Sequence, residues 1–188
     1  MEKVNKQVVN MKSIKIFLDM DGVISDFLAY YLLLGLKINM PVKPPYTDYS
    51  KNPDLFKIAV KEHSIFEHLS NMPLAIELID FLRELEDEFS LQIEVLTSVN
   101  SDEEDVISAA IAQKTKWLKQ AGIHWKSNFV SSGEEKGGYA CNSAILIDDS
   151  DHCLKPFAEN NGIALKYEGF TECFKINLKN SIESIINI

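Results

Sequence analysis

Asp19 and Asp21 stand two residues apart in Asp19-Met20-Asp21-Gly22, directly after the apolar run Ile14 to Leu18. A short apolar run that stops at a polar turn reads as a buried strand opening into a loop. Both carboxylates then lie at a strand's end, and Gly22 permits the tight backbone path that aims them at one point, with Met20 turned away. Further runs end in polar groups too: Ile93 to Leu96 at Thr97-Ser98, Phe129-Val130 at Ser131-Ser132, and Ala144 to Ile147 at Asp148-Asp149. In an open parallel sheet the ligand sits beyond the carboxyl ends of the strands, which would gather Asp19, Asp21, Thr97, Ser98, Asp148 and Asp149 in one crevice. Carboxylates so clustered repel one another unless a cation joins them, and an all-oxygen site with room for water and a phosphate suits Mg²⁺.

These residues need a frame that alternates strand and helix. Ile163 to Tyr167 reads as a fifth strand. Leu74, Leu78, Phe81, Leu82, Leu85 and Phe89 recur at helical spacing and predict a helix from Pro73 to about Phe89, with the proline in its first turn. A second helix is expected from about Glu103 to Ala121, opening at Ser101 with a run of acids suited to the positive helix end and stopping at Gly122. The alternation implies an α/β, Rossmann-like parallel sheet flanked by helices. Residues 27–72 do not fit it, being too long for one crossover helix and holding Pro41, Pro44, Pro45 and Pro53. They read as a small helical cap inserted after the first strand, with pieces at Phe27 to Leu36 and Asp54 to Leu69, on a core of residues 1–26 and 73–188. Leu178 to Ile188 reads as a short surface helix.

The 188 residues, 46% of them apolar, suffice for one domain with an insertion. A net charge of −9 argues against a protein that grips a nucleic-acid polymer. Cys141, Cys153 and Cys173 form no CxxC pair and read as reduced thiols of a cytoplasmic protein. Met1 to Met11 has no apolar stretch of the signal-peptide kind, Met11 is a possible alternative start, and no run approaches the roughly 18 apolar residues of a membrane span. His63, His68, His124 and His152 lack ligand spacing. The run Asp102 to Asp105 reads as a solvated helix start. No Walker loop or dinucleotide fingerprint is present. Oligomeric state, a homodimer included, has no signature in the chain.

Taken in order, Asp19-Met20-Asp21-Gly22-Val23, Thr97-Ser98, a lysine and Asp148-Asp149 resemble the four motifs of the haloacid dehalogenase (HAD) superfamily of phosphatases, over about residues 14–150. Receiver domains use similar parts but place the acidic pair first. The resemblance implies that Asp19 attacks phosphorus, that Asp21 protonates the leaving oxygen and later activates water, and that Thr97 or Ser98 binds the phosphoryl oxygens. Two lysines compete for the role of neutralising the developing charge, and both are assigned to the site: Lys114, in a Lys-x-x-Trp segment, as the main candidate, and Lys136, in the loop before the fourth strand, where the family has a second phosphate-binding lysine. Mg²⁺ would be held by Asp19, Asp149 and the main-chain carbonyl of Asp21, with Asp148 supporting.

A narrower resemblance is to the 5′(3′)-deoxyribonucleotidases. It rests on Ser25-Asp26-Phe27 after the first motif, Phe66-Glu67-His68-Leu69 before Pro73, and Leu146-Ile147-Asp148-Asp149. It implies a nucleoside monophosphate substrate, with Phe27 and Phe66 lining the nucleoside side. The acidic run after Ser98 and the lack of an arginine near Lys136 depart from that family. A phosphatase or phosphotransferase for another small metabolite, and a silent scaffold that only binds a phosphorylated ligand, are the other readings.

Overall fold

The computed structural model describes residues 14–40, 42 and 52–187. The chain's opening residues, and most of the proline-containing loop expected between Ile38 and Pro53, lie outside them. The strands are β1 (Lys15–Leu18), β2 (Gln92–Ser98), β3 (Lys126–Val130), β4 (Ala144–Asp148) and β5 (Ile163–Lys166). They form one sheet in the order β3-β2-β1-β4-β5 with every neighbour parallel. The chain steps outward from β1 through β2 to β3, then returns to the other side of β1 for β4. That reversal opens a crevice between β1 and β4, at their carboxyl ends.

Register decides what meets there. Leu18 pairs with Val95 on one side and Ile147 on the other, and the Asp19 amide continues the ladder to Ile147 O at 2.9 Å. Asp19 therefore stands level with Asp148, and Thr97 follows just beyond on β2.

The helices are α1 (Phe27–Lys37), α2 (Pro53–Lys61), α3 (Ala75–Phe89), α4 (Glu104–Gln120), α5 (Asp151–Glu159) and α6 (Glu172–Ile186). The strands alternate their side chains between two apolar clusters. Ile16, Leu18, Val95 and Ile147 join the larger one with α3, α4 and α6, while Phe17, Leu96 and Leu146 join the smaller one with Leu154 and Phe157 of α5. Both faces of the sheet are thus covered, as a parallel sheet requires. Among the described residues no helix is long and apolar enough to cross a membrane.

Several local expectations are corrected. The third helix begins at Ala75 rather than Pro73, because Leu74, its N-cap, takes a left-handed conformation (φ 59°). The piece expected as one helix from Asp54 to Leu69 is α2 followed by a 3-10 turn at Ile65–His68, broken where Ser64 is left-handed (φ 47°). The C-terminal helix is 15 residues long and buries Phe174, Leu178, Ile182 and Ile185, so it belongs to the core. Helix α5 has no counterpart in the sequence reading, since Pro156 inside it masks the pattern. The acidic run does open α4 in solvent, as expected, with Asp102 to Asp105 all exposed; two of these acids also pair with α2 at the surface, where Lys57 bonds Glu103 and Lys61 Nζ lies 2.8 Å from Asp105 Oδ2.

Candidate active site

The loop after β1 is a tight turn whose backbone closes on itself. Gly22 N–H donates to Ser25 O at 2.8 Å, and Ile24 and Ser25 N–H both donate to Met20 O at 2.9 Å. Met20 is buried in the core, which turns its neighbours Asp19 and Asp21 the other way. Gly22 has φ +84°, and a Cβ there would come within 2.4 Å of Asp149 Oδ2. The residue is therefore required twice, by its backbone conformation and by the approach of Asp149.

Asp21 is held from two sides. Ser25 Oγ donates to Asp21 Oδ1 at 2.9 Å, and Lys114 Nζ donates to Asp21 Oδ2 at 2.5 Å. Ser25 is fully buried; nothing in its residue type marked it as a site group beyond its place beside Asp26. Lys114, from the middle of α4, is 0% exposed and also donates to Thr97 Oγ1 and Ser98 O, each at 2.8 Å. One ammonium so joins the ends of β1 and β2, drawing Asp21, Thr97 and the Ser98 carbonyl together.

Lys136 does the same between β1 and β4. It lies on a 3-10 turn (Glu134–Tyr139) packed on α5 and donates to Asp19 Oδ1 at 2.6 Å and Asp148 Oδ2 at 2.7 Å. Burial alone would lower this ammonium, but the charges of Asp19 and then Asp148 outweigh it and hold it above an ordinary lysine. Both lysines singled out in the sequence reach the strand ends, at separate places: Lys114 beside Asp21 and Thr97, Lys136 beside Asp19 and Asp148.

Asp19, Asp148 and Asp149 each bring a carboxylate oxygen to within 4.8 Å of the others. Burial, then Asp19, pushes Asp148 up to about 6. Asp149 is exposed at the mouth of the crevice, yet partial desolvation of its carboxylate there, then the charges of Asp19 and Asp148, push it up to about 7. A divalent cation would relieve these raised values, and a donor set of oxygen alone fits a hard ion such as Mg²⁺. Both oxygens of Asp148 are engaged, one by Lys136 and the other by the Ser150 amide at 2.9 Å, so Asp149 is the carboxylate of the pair best placed to bind. Nearby Cys153 is pushed by burial up to about 12 and stays a thiol.

Phe27 and Phe66 are 3% and 1% exposed. Phe27 stacks on Tyr31 and on Phe66, each at 5.2 Å between centroids, and the Lys114 ammonium lies 4.5 Å from the Phe66 ring centre. The rings expected to face a nucleoside have turned their flat faces to each other and to these neighbours.

No protein-family profile and no curated protein matches the chain. Solved structures do. A HAD-hydrolase from Bacillus subtilis, bound to magnesium, superposes with a TM-score of 0.56 at 12% identity, over 91% of this chain and 99% of that one. A HAD-superfamily hydrolase of subfamily IA from Geobacter sulfurreducens gives 0.50 at 14% identity, over 90% and 96%. The fold is that of the HAD-superfamily hydrolases. Asp19, Asp21, Thr97, Lys114, Lys136 and the Asp148–Asp149 pair meet at the carboxyl ends of β1, β2 and β4.

Proposed function

We propose that the protein is a magnesium-dependent phosphomonoester hydrolase that works through an aspartyl phosphate on Asp19, with (deoxy)nucleoside monophosphates as substrates. The observation that carries the chemistry is the pairing of two buried lysines with the two carboxylates of one short turn, Lys136 with Asp19 and Lys114 with Asp21. Burying lysines carries a desolvation cost that pairing with acids only partly offsets, so two such pairs at one set of strand ends support a use for fixed positive charge there.

In the first step an Asp19 carboxylate oxygen attacks phosphorus while the bond to the leaving oxygen breaks, and that oxygen takes the proton of the Asp21 carboxyl. In the second, water attacks the same phosphorus and gives its proton to Asp21. The bond from Asp19 to phosphorus breaks, and phosphate leaves. Ser25 keeps Asp21 aimed throughout. Lys114 and the Thr97 hydroxyl bind the phosphoryl oxygens, with Ser98 beside them, as charge develops. Mg²⁺, held by Asp19, Asp149 and the Asp21 carbonyl with Asp148 in support, would draw charge from those oxygens. Residues 27–72 act as the cap that keeps bulk water out, and the free cysteines suit a cytoplasmic setting.

The nucleotide assignment rests on the stretches around Ser25-Asp26-Phe27 and Phe66-Glu67-His68-Leu69, not on the phenylalanine faces. The test is phosphate release from 5′- and 3′-nucleoside monophosphates and sugar phosphates, with Mg²⁺ and with chelator. Metal-dependent release chiefly from deoxynucleotides supports the whole reading. Release from other phosphates alone retains the chemistry and discards the substrate. Asp19→Asn, which removes the nucleophile at constant volume, should abolish turnover while the fold persists, and retained activity would sink the mechanism.

A further inference from the structure

Between α2 and the 3-10 turn at Ile65–His68 the backbone doubles back, and two of its polar groups turn to one side chain of α4. Gln113 Nε2 donates to Val60 O at 2.8 Å, and Phe66 N–H donates to Gln113 Oε1 at 3.4 Å. Gln113 is 6% exposed. A carboxamide offers a donor and an acceptor side by side, and here each end serves a backbone group at a helix end that its own helix leaves unpaired.

Gln113 precedes Lys114, so the two side chains leave α4 about 100° apart. What Gln113 grips returns to Lys114: the chain held at Val60 and Phe66 presents the Phe66 ring to the Lys114 ammonium, 4.5 Å from the ring centre. Trp117 Nε1 donates to Leu69 O at 2.9 Å one turn further along α4, fixing the far end of the same segment. The ammonium is thus bounded by three oxygen acceptors and one aromatic face, and that face is set by Gln113.

We infer that Gln113 is a positioning residue for Lys114: by clamping residues 60–66 onto α4 it keeps the Phe66 ring against the ammonium and so keeps the ammonium on Asp21 and Thr97. The activity arm of the test rests on the phosphohydrolase reading; the exchange arm does not. Gln113→Met keeps the length and removes both hydrogen bonds. Phe66→Leu keeps the clamp and removes the ring.

Both variants and the wild type are assayed for Mg²⁺-dependent hydrolysis of an aryl phosphate, and amide hydrogen exchange is followed across residues 60–68. Both variants are expected to lose kcat by about tenfold or more, with KM within about threefold, because a displaced ammonium fails the charge that develops in the transition state. In Gln113→Met, exchange across 60–68 accelerates while β1 and β4 stay protected. A kcat within twofold of wild type in both variants, a change confined to KM, or unaltered exchange in Gln113→Met would overturn the inference. If Gln113→Met does not fold, Phe66→Leu decides the kinetic arm. If the wild type hydrolyses nothing, the phosphohydrolase reading fails, and exchange across 60–68 still decides whether Gln113 clamps the segment.

Discussion

Lys114 and Asp21 are 93 residues apart in the chain and meet at 2.5 Å, with the lysine side chain fully buried. The contact joins a helix of one crossover to the turn after the central strand, and Thr97 accepts from the same ammonium.

Replacing Lys114 by methionine should lower kcat for an aryl phosphate by about 10²–10³-fold, the usual cost of one fixed charge-stabilising donor. Circular dichroism should show the helical content unchanged. Turnover within tenfold of wild type would mean that another cation serves the phosphoryl group.

Lys136→Met should act first on stability. It leaves Asp19 and Asp148 buried against each other without their shared cation, and uncompensated buried charge costs about 3–5 kcal/mol. Urea unfolding in chelator is the measurement. Because Mg²⁺ would replace part of the missing charge, its stabilising effect should be larger in this variant than in the wild type.

Stability should depend on pH in a stated direction. Asp148 and Asp149 hold protons in the folded state up to about 6 and about 7, whereas in the unfolded chain they lose them near 4. The folded protein therefore binds more protons across that window, and the metal-free Tm should fall as pH rises through it. Mg²⁺ needs the ionised carboxylates, so the Tm gain on adding it should be greater at pH 8 than at pH 5. A gain that does not vary with pH would remove Asp149 from the metal site.

Gly22→Ala should damage both loop and site. The left-handed backbone at φ +84° and the 2.4 Å approach to Asp149 Oδ2 each oppose a methyl group, and strain of this kind costs more than about 1 kcal/mol. Weaker Mg²⁺-dependent activity together with a lower Tm is expected. An alanine variant with wild-type metal response would show that Asp149 can lean elsewhere.

Much of this protein was legible in the residues themselves. Ile14 to Leu18, Ile93 to Leu96 and Ala144 to Ile147 are apolar runs that end in acids or hydroxyls, and period and punctuation are local properties, so these strands and the parallel sense of the sheet could be read directly, and from them the expectation that Asp19, Asp21, Thr97 and Asp148 gather at its carboxyl edge; the strand order could not. The helix from about Glu103 was legible for the same reason, and with it Lys114. What the tertiary structure alone decided are the relations between distant segments. It gave Lys114 to Asp21 and Thr97 and Lys136 to Asp19 and Asp148, where the sequence assigned both lysines to the site without their partners. It brought Lys57 and Lys61 to the acidic run, folded Phe27 and Phe66 onto each other, and turned an ordinary-looking Ser25 and Gln113 into supports for the site. Those outcomes depend on strand register and on which helix faces meet. Both follow from packing the whole chain at once, and no short stretch of residues carries them.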